Sequence, residues 1–305
     1  MSTSKKIYIA FTMDCENLNK KSGLGGPLTW DESEKAILGF IKILEEIDFK
    51  ATLFLCPEAA RAHSDIISVI RKGGHELAMH FHPDSFREGK AKGKVQLGRY
   101  VGKKQYKMLS EGKKVWEEAL GFSPLGFRPG CCSANDETFS ILKKLGFHHG
   151  SVSSPGRKEA SIGSIWEPSV LNVHFADPAL RSVEGNGELD FVEVPITVDW
   201  EKRYPHRFGW SIPQELFIER GDLNTHIHTI KKNIERMKEE KPPILYLCVA
   251  THNVFNYADK NNEKRQILVG LIEKLGQLKR DYQIKIKGAT IKEIAGAFRN
   301  QFKGN

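Results

Sequence analysis

Acidic and imidazole side chains follow apolar runs at two places in this sequence. Asp14 and Glu16 come after an apolar run at residues 7–11, and His80 and His82 stand at the end of another at residues 77–81. Residues two apart on an extended chain point to the same face, so each pair presents both side chains together. A carboxylate and imidazoles around a cation, with one position left for water, form the usual catalytic zinc-type site. A second carboxylate nearby can act as the general base.

Three later segments end in polar groups in the same way. Arg128 follows a short apolar run, Asp199 and Trp200 follow the run at residues 192–198, and His252 and Asn253 follow the run at residues 244–251. The carboxyl ends of parallel strands meet at one edge of a barrel, where active sites form. The five segments together therefore predict one site. Ordinary structural roles are the alternative: an exposed acidic pair that caps a helix, and a buried histidine beside a turn residue.

The elements that must position these residues alternate between strands and helices. Strands are expected at residues 7–11, 52–55, 77–81, 125–127, 192–198, 244–251 and 284–287. Amphipathic helices separate them, with capping signals at Thr29-x-x-Glu32 and Asp136 and a terminating Gly121. This alternation predicts an α/β fold, a distorted (β/α) barrel of seven or eight parallel strands. We expect one domain over residues 1–305, with residues 154–190 as a long excursion on the barrel face.

Composition narrows the class of protein. The chain has 305 residues, 40% of them hydrophobic, which is enough for a substantial core. The net charge is +8, but Lys and Arg are dispersed, and neither zinc-finger nor RNA-binding motifs occur. We therefore expect no nucleic-acid partner. The alternative use of the charge is to attract an anionic substrate.

Cysteine usage and apolar runs give an expected location. The five cysteines include the adjacent Cys131 and Cys132 and no Cys-x-x-Cys pair, which favours reduced thiols over a disulfide framework. The N-terminal apolar run is too short for a signal peptide, and no run reaches the ~18 apolar residues of a membrane span. A cytoplasmic protein without a membrane span is expected, and a homo-oligomer is compatible with the sequence.

Taken in order, these motifs resemble those of the polysaccharide deacetylase family, which is built on the NodB homology domain. The segment Thr12-Met13-Asp14-Cys15-Glu16 resembles its first motif. The resemblance implies that Asp14 is the general base and Glu16 a metal ligand. Residues 74–80 read Gly-His-Glu-x-x-x-His and resemble the start of the second motif, which implies that His80 binds metal.

The remaining motifs imply further roles by the same resemblance. Arg128 would brace Asp14, and Asp199 would tune His252, the general acid for the departing amine. Trp200 would line the pocket. A backbone amide of residues 130–132 would donate to the oxyanion. The expected substrate-binding residues are therefore Gly130 and Cys131 in this segment, together with Trp200 and Asn253.

Two departures from the family pattern stand out. The second motif places its second histidine four residues after the first, where this chain has Asp84. His82 is reachable from the same strand face and is the preferred third ligand, with Asp84 as the alternative. The third motif normally reads Arg-x-Pro-Tyr, whereas Arg128 is followed directly by Pro129 here.

The resemblance implies a metal-dependent hydrolase that removes an acetyl group from an N-acetylated, sugar-type substrate. The expected metal is Zn²⁺, with Co²⁺, Mn²⁺ or Ni²⁺ as alternatives. Two other functions stay open: a metal-dependent amidase acting on a small cyclic amide or ureide, and a non-catalytic carbohydrate-binding barrel. A glycosidase that uses Asp14 and Glu16 is disfavoured, because carboxylates two residues apart are too close to straddle a scissile bond.

Overall fold

The computed structural model describes residues 6–19, 25–86, 95–205 and 211–302. The strands are β1 (Lys6–Cys15), β2 (Ala51–Leu55), β3 (Glu76–Phe81), β4 (Gly126–Pro129), β5 (His149–Gly150), β6 (Lys158–Glu159), β7 (Ser164–Ile165), β8 (His174–Phe175), β9 (Val192–Glu193), β10 (Val198–Pro205), β11 (Ser211–Glu215), β12 (Leu245–His252) and β13 (Lys285–Gly288). The helices are α1 (Trp30–Glu45), α2 (Pro57–Ala62), α3 (Ser64–Lys72), α4 (Gly102–Leu120), α5 (Thr138–Lys144), α6 (Leu223–Glu240), α7 (Glu263–Tyr282) and α8 (Ile291–Asn300).

A curled, mostly parallel sheet organises these elements. Its order in the described chain is β12-β1-β2-β3-β4-β5-β9-β8, and β13 also pairs with β1. Eight of the nine strands pair in parallel, and only β8 joins antiparallel, along β9. The expected α/β class with a mostly parallel sheet is confirmed.

The central strands are buried along almost their whole length. The residues of β2 and β3 are all buried, and β1 is buried from Ile9 onward. Strands covered on both faces are apolar without alternation, which is why the apolar runs predicted them. The register of β1 and β12 places Asp14 opposite His252. The sheet therefore brings residues 238 positions apart side by side.

Helix ends follow local capping rules in two of the three predicted cases. The side chain of Thr29 accepts from the Glu32 amide at 3.2 Å and begins α1, and Gly121 ends α4 with a φ of 75°. The predicted cap at Asp136 is wrong. Glu137 is the N-cap of α5, while Asp136 Oδ1 pairs with Arg181 Nη1 at 2.6 Å. The Arg181 guanidinium thus binds the carboxylate that was expected to cap the helix.

The predicted strand at residues 192–198 is split into two elements. Only Val192 and Glu193 form β9, and Val198 begins β10, which pairs antiparallel with β11. The register of this hairpin shifts between Asp199 and Arg203. Asp199 and Trp200 therefore lie at the start of a hairpin and not at the end of a parallel strand. An apolar run alone does not tell these two situations apart.

Residues 154–190 contain short strands and a 3₁₀ turn, Ala160–Ile162. β6 and β7 form a two-stranded sheet, and β8 extends the main sheet. Trp166 is fully buried, and its Nε1 donates to the carbonyl of Cys132 at 2.6 Å. This contact ties the excursion to the segment that follows β4. Across the described ranges, no helix has the length and apolarity needed to span a membrane.

Candidate active site

The carboxyl ends of β1, β3, β4 and β12 surround one cavity of about 790 Å³. The residues that line it include Asp14, Glu16, His80, His82, His252, Glu219, Arg157 and Arg220. Five of the predicted catalytic and metal-binding residues thus meet in one place, although they come from distant parts of the chain.

Asp14 is buried and held by Arg128. Arg128 Nη1 donates to Asp14 Oδ1 at 2.7 Å and to Thr12 Oγ1 at 2.9 Å. The guanidinium also packs on the Phe54 ring, 4.1 Å from its centroid. Burial by itself would raise the pKa of Asp14, but the positive charges of Arg128, His80 and His252 together hold the pKa below its usual value. Asp14 therefore stays an anion with one oxygen free of Arg128.

His252 lies beside that carboxylate. Its Nε2 is 4.0 Å from Asp14 Oδ2, and its Nδ1 is hydrogen-bonded to Glu219 Oε1. The ring stacks on Phe217, with centroids 5.3 Å apart and an interplanar angle of 20°. Burial opposes the charged form, but the Glu219 carboxylate raises the pKa of His252 above its usual value. The imidazole is thus prepared to carry a proton at Nε2.

The partner expected for His252 was Asp199, and this expectation is corrected. Asp199 Oδ1 accepts from Lys232 Nζ of α6 at 2.6 Å and from the Glu201 amide of β10 at 3.1 Å. Glu219 occupies the place beside His252 instead. In the sequence, Glu219 follows a short apolar run at residues 216–218. In the structure, a bridge between Phe217 and Ala250 holds this run next to β12.

Trp200 is also displaced from its expected position. Its ring lies under the Lys232 ammonium at 4.5 Å and near the Arg236 guanidinium at 5.7 Å. It is not among the residues that line the cavity. The hairpin that carries Asp199 moves Trp200 with it.

Glu16 stands between two imidazoles. Its Oε1 lies 3.2 Å from His80 Nε2 and 2.9 Å from His82 Nε2, and all three residues are buried. Burial would raise the pKa of Glu16, but the charges of His82 and His80 hold it well below its usual value. Burial likewise opposes a charge on His82, yet Glu16 raises its pKa to about 9.

The outer nitrogens of these imidazoles are already engaged. His80 Nδ1 donates to the carbonyl of Arg128 at 2.9 Å, and His82 Nδ1 faces Gln96 Oε1 at 3.1 Å. Gln96 Nε2 donates to Asp84 Oδ2, which fixes the orientation of the amide. In the neutral imidazoles, the lone pairs then lie at both Nε2 atoms and point toward a carboxylate oxygen. This arrangement of three acceptors fits a divalent cation. Sequence reasoning missed Gln96.

Cys56 is a further donor near the same carboxylate. Within the described residues, the ligand atoms of Glu16, Cys56 and His80 all lie within 4.8 Å of one another. The Cys56 thiol donates to Glu16 Oε2 at 3.8 Å, and burial together with Glu16 raises its pKa well above the usual value. Cys56 does not line the cavity, whereas Glu16, His80 and His82 do. The pocket-facing set is therefore Glu16, His80 and His82.

Asp84, the alternative third ligand, meets the opposite side of His82. Its Oδ1 lies 3.8 Å from His82 Nδ1, while Glu16 contacts Nε2 of the same ring. Oδ1 is buried and has no hydrogen-bond partner in the described part of the chain. Asp84 therefore orients His82 and Gln96, and the geometry favours His82 as the ligand.

Of three further residues expected to bind substrate, Cys131 lines the cavity, and Gly130 and Asn253 do not. Cys131 lines the cavity and has a left-handed φ of 54°. Gly130 lies behind it, where an added Cβ would be 2.2 Å from the His82 ring. Asn253 is fully buried under the site, where its Oδ1 accepts from the Glu16 amide at 2.9 Å. Gly130 thus leaves room for the His82 ring, and Asn253 fixes the backbone of Glu16 from outside the cavity.

Comparison with known proteins points to one family. The sequence model of that family, described as polysaccharide deacetylase, matches residues 27–150. No curated protein sequence matches the chain.

Solved structures share the fold over almost the entire chain. A Mycobacterium smegmatis protein described as a polysaccharide deacetylase is 18% identical, with a TM-score of 0.64 over 99% of this chain and 93% of that chain. A Pseudomonas aeruginosa PAO1 protein described in the same way is 13% identical, with a TM-score of 0.60 over 98% and 93%. PuuE allantoinase is 14% identical, with a TM-score of 0.62 over 98% and 92%. At these identities the likeness establishes the fold.

Proposed function

We propose that this chain is a metal-dependent hydrolase that removes the acetyl group from an N-acetylated, sugar-type substrate; the match of residues 27–150 to the polysaccharide deacetylase model supports the proposal. The observation that carries the proposal is the position of Asp14 and His252. The two side chains lie 4.0 Å apart in the same cavity as the Glu16–His80–His82 cluster. A general base, a general acid and a set of metal ligands are the groups that amide hydrolysis requires.

Glu16, His80 and His82 would hold the metal ion. Two imidazole nitrogens and a carboxylate oxygen are the ligands that Zn²⁺ takes in catalytic sites, and Co²⁺, Mn²⁺ and Ni²⁺ accept the same donors. When bound, such an ion polarises the acyl oxygen and lowers the pKa of a bound water.

The residues of the chain would perform the proton transfers. Asp14, kept ionised by Arg128, takes the proton of the attacking water. His252, kept protonated by Glu219, gives its proton to the leaving nitrogen and releases a free amine and acetate. Cys131 and Cys132 of the turn after β4 line the cavity, and a backbone N–H of residues 130–132 would donate to the developing oxyanion.

A metal-dependent amidase acting on a small cyclic amide is the second candidate. The fold similarity to PuuE allantoinase favours it, and the same base, acid and metal ligands serve both reactions. The two functions differ in the product, since an N-acetyl sugar releases acetate and a cyclic amide opens its ring.

A panel of substrates separates these functions. Protein loaded with Zn²⁺ is incubated with N-acetyl sugars, nucleotide-linked N-acetyl sugars and cyclic amides or ureides, and acetate and ring-opened products are measured. The proposal expects acetate release from an N-acetyl sugar that stops when the metal is chelated. Ring opening without acetate release would establish the amidase. A protein that binds sugar but no divalent ion would be a non-catalytic barrel, and the proposal would be wrong.

A further inference from the structure

A second charged cluster lines the cavity, outside the groups used for proton transfer and metal binding. It consists of Arg157 and Arg220, which line the cavity, and the fully buried Glu215, which contacts both of them. Arg157 Nη2 donates to Glu215 Oε2 at 2.9 Å, and its Nε donates to Oε1. Arg157 Nη1 donates to the carbonyl of Cys131 at 2.7 Å. All three donor groups of Arg157 are therefore occupied.

Arg220 must share the same carboxylate. Its Nη1 is ion-paired with Glu215 Oε2, which Arg157 already occupies, and Ser154 also donates to Glu215 Oε1. Two guanidinium groups thus face one carboxylate, and the cluster carries one positive charge in excess. Burial, and then the charge of Arg157, lowers the pKa of Arg220 to about 9. A partly buried cation without its own counter-ion is costly, unless a ligand supplies the missing charge.

The other carboxylates of the cavity have partners of their own. Asp14 is paired with Arg128, and Glu219 with His252. Glu159 accepts from the amide and the hydroxyl of Ser161. Glu16 contacts the two imidazoles.

The position of Arg220 relates this charge to the reacting groups. Its guanidinium lies 4.1 Å from the centroid of the Phe217 ring, and Phe217 stacks on His252. The side chain retains 17% of its exposure, at the cavity wall. One aromatic ring therefore separates the surplus cation from the general acid. A substrate whose leaving nitrogen is at His252 could reach Arg220 with another part of the same molecule.

We propose that Arg220 binds an anionic group of the substrate, a carboxylate or a phosphate, so that the enzyme prefers anionic N-acylated substrates to neutral ones. A guanidinium offers paired N–H donors that match the oxygens of either group. The net charge of +8 would attract such substrates at longer range. The inference rests on the proposed function and names the substrate class of the same cavity.

The kinetic test compares matched neutral and anionic substrates. N-acetylglucosamine, its phosphate monoesters and the corresponding N-acetylated uronic acid are assayed with the wild-type protein and with Arg220→Gln, Arg220→Lys and Arg71→Gln. Arg71 is the matched control, because its guanidinium also stacks on a ring, that of Phe122 at 3.6 Å, and lines a separate pocket. We expect the wild type and Arg71→Gln to prefer an anionic substrate by about 10- to 100-fold in kcat/KM, as a charge-assisted hydrogen bond would give. Arg220→Gln should lose that preference, and Arg220→Lys should keep part of it.

Two kinetic outcomes would overturn the inference. One is a wild type that does not prefer the anion, or whose preference survives in Arg220→Gln. The other is an equal loss of kcat/KM for neutral and anionic substrates in Arg220→Gln, which would mean that Arg220 acts on a group common to all of them, such as the acyl oxygen. Thermal unfolding of each variant identifies any that fails to fold, and Arg220→Lys then decides the comparison.

A binding test separates this inference from the proposed function. Inorganic phosphate is titrated into metal-free protein by calorimetry, so that the metal cannot bind the anion. Arg220→Gln should weaken phosphate binding by at least about 10-fold, and Arg71→Gln should leave it unchanged. Equal affinity of the wild type and Arg220→Gln would overturn the inference. If phosphate binding depends on Arg220 but no N-acyl substrate is hydrolysed, the proposed function fails and the anion site stands.

Discussion

Asp14 and His252 lie within 4.0 Å of each other, yet their surroundings drive their protonation in opposite directions. Arg128 stabilises the ionised form of Asp14, and Glu219 stabilises the protonated form of His252. A carboxylate base acts above its pKa, and an imidazolium acid acts below its pKa. With the metal bound, activity should therefore persist to a pH above the usual histidine pKa of 6.5.

Glu219→Gln should lower the upper pH limit of activity. Removing the carboxylate beside Nδ1 lowers the pKa of His252, so the upper limb of the kcat/KM profile should move down toward 6.5. The measurement is the dependence of kcat/KM on pH. Asp199→Asn is the control, because Asp199 is bonded to Lys232 instead. A shift caused by Asp199→Asn and absent in Glu219→Gln would restore the pairing that the sequence predicted.

Gln96→Leu should weaken metal binding without touching a ligand. The substitution removes the acceptor that fixes His82 Nδ1, and the loss of such partners typically costs 10- to 100-fold in metal affinity. The measurement is calorimetric titration with Zn²⁺. Gln105→Leu is the matched control, since Gln105 is an equally buried amide bonded to Tyr100 and Thr138. Equal Zn²⁺ affinity in the wild type and Gln96→Leu would contradict the role given to His82.

At the scale of the elements, the sequence predicts what local patterns determine. Buried parallel strands are continuous apolar runs, so the runs at 7–11, 52–55, 77–81 and 244–251 correspond to β1, β2, β3 and β12. Those strand ends carry Asp14, Glu16, His80, His82 and His252, which the structure brings together. β5 was missed because a strand of two residues has no periodicity.

The errors at the site come from long-range geometry. Glu219 lies in an irregular segment whose place beside β12 depends on one parallel bridge, between Phe217 and Ala250. Asp199 begins a hairpin whose apolar start resembles a parallel strand. Neither position can be read from a few neighbouring residues in the sequence. The motif match therefore predicts Asp199 as the partner of His252, where the structure has Glu219.

Gly130→Ala tests how tightly the turn after β4 fits the site. The added Cβ would lie 2.2 Å from the His82 ring, so the ring or the turn must move. We expect Zn²⁺ affinity to fall by at least about 10-fold. Gly296→Ala in α8 is the control, because a Cβ there meets nothing within 4 Å. Unchanged affinity in Gly130→Ala would mean that His82 is not a ligand or that the site adapts freely.

For the whole molecule, the proposed metal ion joins strands that are distant in sequence. Glu16 follows β1, and His80 and His82 belong to the end of β3. A ligand that binds only the folded state stabilises it by RT ln(1 + [L]/Kd). At about 100 times Kd of Zn²⁺, the free energy of unfolding should rise by about 2.7 kcal/mol, as measured by urea denaturation with and without a chelator. No difference between the two conditions would argue against a metal site.

The central claim is that Asp14 is the base of a metal-dependent deacetylation, and one comparison tests it most directly. Acetate release from the best N-acetyl substrate is measured for the wild type and Asp14→Asn, after the metal content of both proteins has been shown to be equal. The proposed role predicts a loss of at least about 100-fold in kcat with the metal retained. Asp14→Asn that keeps most of the wild-type activity would contradict the claim.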